Sequence, residues 1–261
     1  MPGMPAPPVV LSIAGYDPSS GAGVTADVQT IRAHGCYPIT CVTALTVQTT
    51  MGVTRFQAVD AGIVGETLQE LLKDFSIAAV RIGMLGSGQV ARTVADFLAS
   101  ARIGHVVLDP IVKSSSGADL IDKAGQKVIR ERLLPVAEVI TPNLDEVGAL
   151  IGSRVHSAAE IHAAPRKLHA MGARAVVITG GHRDEAIDLL SLDGRVEEFW
   201  AERIQSTSTH GTGCAFATSI ACELAKGKLV REAVLAAKRF VRQAIEKAEG
   251  LGKGTGPMKL I

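Results

Sequence analysis

The sequence predicts an α/β protein built on one doubly wound, mostly parallel β-sheet. Short runs rich in β-branched residues alternate with helical patterns along nearly all of the 261 residues, and no long linker interrupts them. The last helical segment, 230–248, places its apolar residues on one face at helical spacing. Such alternation is typical of parallel strands joined by helices, with ligands bound at the carboxyl ends of the strands. We expect one domain over residues 9–261, after a disordered tail at residues 1–8.

The individual elements follow from the same patterns. Strands are predicted at 9–14, 40–47, 79–82, 105–108, 139–141 and 175–179. Helices are predicted at 25–34, 65–75, 89–100, 123–133, 144–151, 158–171, 215–226 and 230–248. The helix in 158–171 is expected to kink or to begin near Pro165, because proline lacks the N–H of a helix interior. The runs 186–192 and 196–200 flank Asp193-Gly194, a pair that favours a tight turn and therefore a β-hairpin.

The composition excludes several classes of function. Hydrophobic residues make up 47% of the chain and the formal net charge is +1, which gives no electrostatic reason to expect nucleic acid as a partner. No segment is long and apolar enough to predict a membrane span, and the first residues do not resemble a signal peptide. The four cysteines form neither a CxxC pair nor a metal-spaced cluster. This pattern favours the reducing cytoplasm over a disulfide-bonded or zinc-binding protein.

A His-Gly-Thr-Gly-Cys sequence that ends at Cys214 leads directly into the apolar helix predicted at 215–226. Gly211 and Gly213 allow the backbone to approach a ligand closely, and a helix N-terminus offers unpaired N–H groups to an anion. Cys214 then falls in the first turn of the helix, where this field favours a thiolate. We therefore predict a catalytic Cys214 beside an anion hole that includes Thr212. On this segment alone, an ordinary loop and a buried cysteine that serves only packing are the alternative.

The segment 14–27 follows the first strand and opens the first helix. Its Gly21-Ala22-Gly23 resembles a dinucleotide-binding fingerprint, but the acidic residue expected about 20 positions later is absent at the end of the second strand, so NAD binding is rejected. Asp27 lies near the carboxyl end of the first strand and is predicted to hold an amine or a ring nitrogen. The alternative is a charge that favours the helix dipole.

Two residues at strand ends suit a flat heteroaromatic ring. Gln48 closes the second strand, and its amide can donate and accept together, as the edge of an aminopyrimidine requires. The alternative is a polar residue at the surface. Met84 follows the strand at 79–82 and is predicted either to wall such a ring or to fill the core.

Three later strand ends carry further polar groups. Asp109 and Glu146 offer carboxylate oxygens, so they are predicted to hold Mg²⁺, partly through water. Asn143 and Glu146 also have the spacing of a helix capping box, and both roles can hold together. The glycines after Thr179, at 180 and 181, would let the backbone approach a phosphate chain.

Seven motifs occur in one order along nearly the whole chain. They are Ala14-Gly-x-Asp-Pro-Ser-x-Gly-Ala-Gly-x-x-Ala-Asp27, Thr43-Ala-Leu-Thr-Val-Gln48, Gly83-Met84-Leu85, Asp109-Pro110, Thr141-Pro-Asn143-Leu-x-Glu146, Gly180-Gly-His182 and Thr209-His210-Gly-Thr-Gly-Cys214. Together they resemble the ribokinase superfamily, and within it the hydroxymethylpyrimidine/phosphomethylpyrimidine kinases of thiamine biosynthesis. The resemblance implies a ribokinase-like three-layer α/β/α sandwich, ATP as co-substrate, Mg²⁺ and a homodimer. It leaves dependence on a monovalent cation open.

The resemblance also assigns roles to individual residues. Catalysis is assigned to Cys214 as base and to the anion-hole residues Gly211, Thr212 and Gly213. The pyrimidine is assigned to Gly15, Asp27, Gln48, Met84 and Ile111. The nucleotide is assigned to Asn143, Thr179, Gly181 and His210, and the metal to Asp109 and Glu146.

The sequence departs from the family pattern at two positions. Thr179 stands where the family often has a lysine, and some related pyridoxal kinases also have a threonine there. Ser208 stands where the family often has an asparagine. The first departure leaves the positive charge near the γ-phosphate unassigned. The function we predict is phosphorylation of hydroxymethylpyrimidine, with phosphorylation of its monophosphate as a second step left open. The alternatives are a pyridoxal kinase and a catalytically silent regulator that binds a pyrimidine or a nucleotide.

Overall fold

The structure is a computed structural model and describes residues 6–114, 117–180 and 187–261. Its strands are β1 (Val9–Tyr16), β2 (Tyr37–Thr49), β3 (Gly52–Ala58), β4 (Ile77–Ile82), β5 (His105–Leu108), β6 (Val139–Ile140), β7 (Ala175–Ile178), β8 (Asp188–Leu192) and β9 (Arg195–Phe199). Its helices are α1 (Gly23–Ala33), α2 (Ala61–Asp74), α3 (Gly88–Ser100), α4 (Lys123–Val128), α5 (Leu144–Ile151), α6 (Ala158–Ala170), α7 (Thr212–Ala225) and α8 (Val230–Glu246).

The strands form one sheet in the order β3-β2-β1-β4-β5-β6-β7-β8-β9. Strands β2, β1, β4, β5, β6 and β7 run parallel, whereas β3 at one edge and β8 and β9 at the other are antiparallel to their neighbours. The chain crosses from β1 outward to β2 and then returns to the opposite side of β1 to form β4. The predicted doubly wound, mostly parallel sheet is confirmed, and its switch point lies at β1.

Helices cover both faces of the sheet. Successive side chains of a strand point to opposite faces, and accordingly Leu11 and Val176 pack with α2, α3, α5 and α6. Their neighbours Val10 and Val177 pack with α1, α7 and α8 on the other face. The predicted three-layer α/β/α sandwich is therefore confirmed. In the described part of the chain, no helix is long and apolar enough to cross a bilayer.

The largest departure from the predicted elements is the hairpin at one edge of the sheet. The second strand extends over Tyr37–Thr49 instead of 40–47, and β3 was not predicted at all. The reason is that β3 is an edge strand with exposed polar side chains, among them Thr54, Arg55 and Gln57. A strand that buries so little apolar surface shows no hydrophobic alternation.

Smaller departures have local causes. The helix predicted at 123–133 is α-helical only to Val128 and continues as a π-helical turn, Ile129–Leu133. Helix α6 does not begin near Pro165, because a capping box formed by Ser157 and Glu160 starts it earlier. The hairpin of β8 and β9 is confirmed within the described residues, with Asp193 and Gly194 both at positive φ in its turn. Residues 1–5 of the expected tail lie outside the described residues.

Candidate active site

The predicted site residues follow the carboxyl ends of neighbouring parallel strands. In sheet order, Gln48 lies at the end of β2, and the ends of β4, β5, β6 and β7 lead to Met84, Asp109, Asn143 and Thr179. The end of β1, between β2 and β4, leads to Asp17, which was not predicted. Asn143 and Thr179 are adjacent, since Thr179 N–H donates to the Pro142 carbonyl at 3.0 Å. One edge of the sheet therefore presents all of these positions.

Three residues predicted to contact a ring form one apolar surface. Met84 and Ile111 belong to the same cluster, together with Phe56 of the unpredicted strand β3. Gly15 lies against this surface, because a Cβ atom built on it would come within 2.9 Å of Met84 Sδ. Any side chain at position 15 would displace the methionine. The structure thus brings Gly15, Met84 and Ile111 together as predicted.

Helix α7 begins where the sequence predicts the anion hole. Gly211 is its N-cap at φ 79°, and a Cβ there would lie 1.9 Å from the Gly21 carbonyl oxygen, so only glycine fits. A Cβ built on Gly213 meets open space. The first N–H groups of the helix, from Thr212 and Gly213, have no partner within the helix. The Thr212 N–H makes only a long bond of 3.4 Å to the Thr209 carbonyl, so an anion at this terminus would compete with that bond.

Cys214 lies in the first turn of α7 but is not the thiolate that the sequence predicted. The residue is only 8% exposed. Burial raises the pKa of Cys214 to about 11, although the positive charge of Arg81 acts in the opposite direction. The correction has a clear cause, because desolvation of a charged sulfur outweighs the field at a helix N-terminus.

Asp27 requires a second correction. Its carboxylate has no exposed surface and accepts hydrogen bonds from Ser12 Oγ at 2.5 Å, Thr218 Oγ1 at 2.7 Å and Arg81 Nη1 at 3.0 Å. These three donors occupy the carboxylate and leave no surface for a ligand. The direct pyrimidine contact predicted for Asp27 is not compatible with this arrangement, so Asp27 lies behind the pocket.

Arg81 is the functional residue that the sequence reasoning missed. It lies in β4 with a fully buried side chain, and its Nη2 donates to Asp109 Oδ2 at 2.6 Å. Burial lowers the pKa of Arg81, but the charges of Asp27 and Asp109 outweigh this effect and raise that pKa. The sequence did carry a signal for Arg81, because this arginine lies inside an apolar run predicted as a buried strand. A buried charge of this kind is found only where it is paired.

The two predicted metal ligands lie close enough to influence one another. Burial raises the pKa of Glu146 well above its usual value, and the charge of Asp109 adds to this shift. Burial also raises the pKa of Asp109, while Arg81 lowers it. Glu146 forms the capping box with Asn143 as well, at 2.9 Å in both directions, so that alternative is confirmed. The described residues include no group of three His, Cys, Asp or Glu side chains suited to a metal.

The nucleotide-side predictions have mixed outcomes. Gly181 lies outside the described residues. His210 contacts Gln48 and Asp17, so its side chain lies beside the residue predicted to bind the ring. Near Thr179, Asp188 accepts from Gly180 N–H at 3.0 Å and from Lys238 Nζ at 2.5 Å. Asp188 therefore connects Lys238 of α8 to the backbone that follows β7.

Fold and site together define a ribokinase-like kinase. The structure superposes on a pyridoxal kinase from Staphylococcus aureus, solved in complex with AMP-PCP and pyridoxal, with a TM-score of 0.88 and 29% identity over 98% of this chain and 94% of that one. The family model described as phosphomethylpyrimidine kinase matches residues 17–259. The chain belongs to the phosphomethylpyrimidine kinase family.

Curated relatives support the same family. The chain is 42% identical over 255 residues to a hydroxymethylpyrimidine/phosphomethylpyrimidine kinase of Streptomyces coelicolor, covering 97% of this chain and 94% of the relative. It is 39% identical over 254 residues to the thiamine biosynthesis bifunctional protein ThiED of Geobacter sulfurreducens, covering 97% of this chain. The chain spans about half of that protein, 52% of its length.

Replacing Arg81 with methionine should destabilise the protein strongly, because Asp27 and Asp109 would remain buried without a counter-charge. We expect the free energy of unfolding, measured by urea denaturation, to fall by about 3–5 kcal/mol. Arg132→Met removes an arginine from an exposed pair with Asp96, 41% and 68% exposed, and should cost less than about 1 kcal/mol. Equal effects of the two substitutions would show that the Arg81 pairs are not the stabilising network described.

Proposed function

We propose that this protein transfers the γ-phosphoryl group of ATP to the hydroxymethyl group of 4-amino-5-hydroxymethyl-2-methylpyrimidine, and then phosphorylates the monophosphate to the diphosphate. One observation carries this proposal. Gln48, an amide suited to an aminopyrimidine, lies 3.0 Å from His210, which immediately precedes the N-cap of α7. His210 therefore connects Gln48, which we propose recognises the ring, to the anion hole at the start of α7.

The apolar surface and the amide suit complementary parts of the substrate. The ring would lie against Met84 and Ile111, and Gln48 would pair with the amino group and the neighbouring ring nitrogen. The hydroxymethyl group would then face Cys214. The names of two relatives support this substrate, since one is a hydroxymethylpyrimidine/phosphomethylpyrimidine kinase and the other a bifunctional protein of thiamine biosynthesis.

The residues at the start of α7 support a route for the proton and for the phosphoryl group. The Cys214 thiol first releases its proton to solvent, which its raised pKa makes unfavourable at neutral pH, and the thiolate, with Arg81 as counter-charge, then accepts the proton of the substrate hydroxyl. The hydroxyl oxygen forms its bond to the γ-phosphorus as the bond to the β–γ bridging oxygen breaks, and ADP leaves. The N–H groups of Thr212 and Gly213 stabilise the charge on the transferred group. Because positioning dominates phosphoryl transfer, Cys214 also orients the hydroxyl.

Asp109 and Glu146 fit Mg²⁺. Burial raises the pKa of Glu146 well above its usual value, and the charge of Asp109 adds to this shift. The buried Thr141 Oγ1 at the end of β6 has no hydrogen-bond partner among the described residues. One oxygen of each carboxylate is occupied, by Arg81 and by the Asn143 N–H, so the second oxygens would serve as ligands. Mg²⁺ bound there would neutralise charge on the ATP phosphates.

The remaining parts of the proposal concern assembly and location. Exposed apolar side chains near the β3 edge of the sheet support a homodimer: Tyr16, Leu45, Val47 and Met51, at 39%, 55%, 53% and 70% exposure. Four cysteines without disulfides support the cytoplasm.

Pyridoxal phosphorylation is the second candidate, favoured by the structural similarity to pyridoxal kinase and by Thr179. Gln48 distinguishes the two, because pyridoxal lacks the exocyclic amine that would pair with the amide. An unpaired buried amide group costs about 1–3 kcal/mol, or 10- to 100-fold in selectivity. An ADP-release assay with hydroxymethylpyrimidine, its monophosphate, pyridoxal, pyridoxine and ribose tests the proposed function directly.

In that assay, the wild-type enzyme should show a higher kcat/KM for hydroxymethylpyrimidine than for pyridoxal. Gln48→Met should narrow the gap chiefly by reducing the value for the pyrimidine. Gln57→Met changes an exposed glutamine of β3 and should leave the ratio unchanged. Preference of the wild-type enzyme for pyridoxal would replace the proposed function by the second candidate.

Cys214→Ser should lower kcat by about 10²-fold or more, because a hydroxyl is a far weaker proton acceptor than a thiolate. Cys41→Ser is the matched control, since Cys41 is also buried with a pKa raised to about 11 by burial but lies in β2 away from α7. Peptide-resolved alkylation of Cys214 by iodoacetamide should accelerate as the pH rises towards 11. Near-wild-type kcat in Cys214→Ser would reduce Cys214 to a packing role.

Asp109→Asn and Glu146→Gln should each raise the Mg²⁺ concentration needed for half-maximal activity by about tenfold or more, with a smaller effect on the pyrimidine KM. Asp145→Asn removes an exposed carboxylate from the same helical turn and serves as the control. If the Mg²⁺ requirement of both variants equals that of the wild type, Glu146 is only a capping residue and Asp109 only a partner of Arg81.

A further inference from the structure

Four polar side chains form a continuous network beside the predicted ring pocket. His210 Nε2 lies 2.8 Å from Asp17 Oδ2 and 3.0 Å from the Gln48 amide. The other end of the Gln48 amide lies 3.2 Å from Thr46 Oγ1, and that hydroxyl lies 2.9 Å from the Tyr16 carbonyl oxygen. Each of these contacts constrains the proton positions in the next.

Asp17 determines which nitrogen of His210 carries the proton. Hydrogen bonds from His210 and Ser19 lower the pKa of Asp17, against the effect of burial, so its carboxylate is ionised at neutral pH and can only accept. Two acceptors cannot face each other at 2.8 Å, and therefore His210 Nε2 must carry a hydrogen. The tautomer is fixed by its partner.

A protonated His210 Nε2 in turn determines the orientation of the Gln48 amide. If the amide nitrogen faced this N–H, two donors would meet and the bond would be lost. The Thr46 hydroxyl would also need two hydrogens, one for Gln48 and one for the Tyr16 carbonyl. A half-turn of the amide removes both conflicts. The Gln48 oxygen then shares the single Nε2 hydrogen of His210 with Asp17 Oδ2 in a bifurcated bond, and the Gln48 nitrogen donates to Thr46 Oγ1.

The backbone holds His210 in place for this role. A Cβ built on Gly21 would lie 2.2 Å from His210 Cδ2, so the imidazole rests directly on that glycine. His210 N–H donates to the Gly256 carbonyl at 3.0 Å. In the same C-terminal segment, Thr255 N–H donates to the carbonyl of Thr50 at 2.9 Å, two residues after Gln48. One segment therefore ties both partners together.

We propose that His210, fixed by Asp17, is a positioning residue that sets the donor and acceptor ends of the Gln48 amide and thereby selects an aminopyrimidine edge. The inference rests on the proposed function. In the assigned orientation, one N–H and one carbonyl lone pair of Gln48 remain for a ligand. An amino group and its neighbouring ring nitrogen match this pair, and a reversed amide would oppose both.

The network predicts the effect of Asp17→Asn. An asparagine with its amide nitrogen at the Oδ2 position donates to His210 Nε2, which then becomes an acceptor and favours the reversed Gln48 amide. The same substitution removes the bond that Oδ2 accepts from the Ala22 N–H at 2.9 Å. KM for hydroxymethylpyrimidine should rise by roughly tenfold or more, while kcat changes much less. His210→Leu should act in the same direction, and His210→Gln, which restores an N–H donor, should recover part of the loss.

Two controls separate this effect from structural damage. Ser19→Ala loosens the same turn, since Ser19 Oγ donates to Asp17 at 2.7 Å, but it leaves the His210–Gln48 contact intact and should keep KM near the wild-type value. In a Gln48→Met background, Asp17→Asn should have little further effect on KM. Full additivity of the two substitutions would overturn the inference, and so would a raised KM for ATP with an unchanged KM for the pyrimidine.

A second measurement decides the inference independently of the substrate. Long-range ¹H–¹⁵N spectra of the ¹⁵N-histidine-labelled protein report the tautomer of each of its seven histidines, and the His210 signals are assigned by their loss in His210→Gln. A protonated Nε2 in the wild type, with a change in Asp17→Asn, is the expected result. An unprotonated Nε2 in the wild type would overturn the inference. Absence of hydroxymethylpyrimidine turnover would instead refute the proposed function and leave this result standing.

Discussion

The buried ion pairs of Arg81 are the constraint on which the rest of the site depends. A guanidinium with no exposed surface lies between Asp27 of α1 and Asp109 at the end of β5. All three charged groups are shielded from water. A buried charge that loses its partner costs several kcal/mol. The three elements must therefore assemble together, and their relative positions are fixed before any ligand binds.

The same network places the proposed chemistry. Thr218 donates to Asp27 at 2.7 Å and lies one helical turn after Cys214, so α7 is anchored to the ion pairs directly below the thiol. This anchoring explains why Cys214 is buried and why its pKa is raised to about 11. For the base that we propose, the Cys214 thiol must first lose its proton, and Arg81 is the nearby counter-charge for the resulting thiolate.

Much of the fold was predictable because the parallel strands are buried on both faces and separated by helices of ordinary length. The edge strand β3 was not, since its polar, exposed residues carry no hydrophobic pattern. Within the site, Gly15, Met84 and Ile111 came together as predicted. The contacts of Asp27 and His210 were not predictable, because their partners are distant in sequence, Arg81 for the first and Asp17 for the second. Local patterns do not encode such pairings.

The central claim is that Gln48 orients a pyrimidine so that its hydroxymethyl group meets Cys214 at the N-terminus of α7. A crystal structure with hydroxymethylpyrimidine and a non-hydrolysable ATP analogue tests it most directly. The account predicts the hydroxymethyl oxygen within hydrogen-bond distance of Cys214 Sγ, the amino group and ring nitrogen paired with Gln48, and the γ-phosphate facing the N–H groups of Thr212 and Gly213. A hydroxymethyl group directed away from Cys214, or a γ-phosphate bound elsewhere, would contradict it.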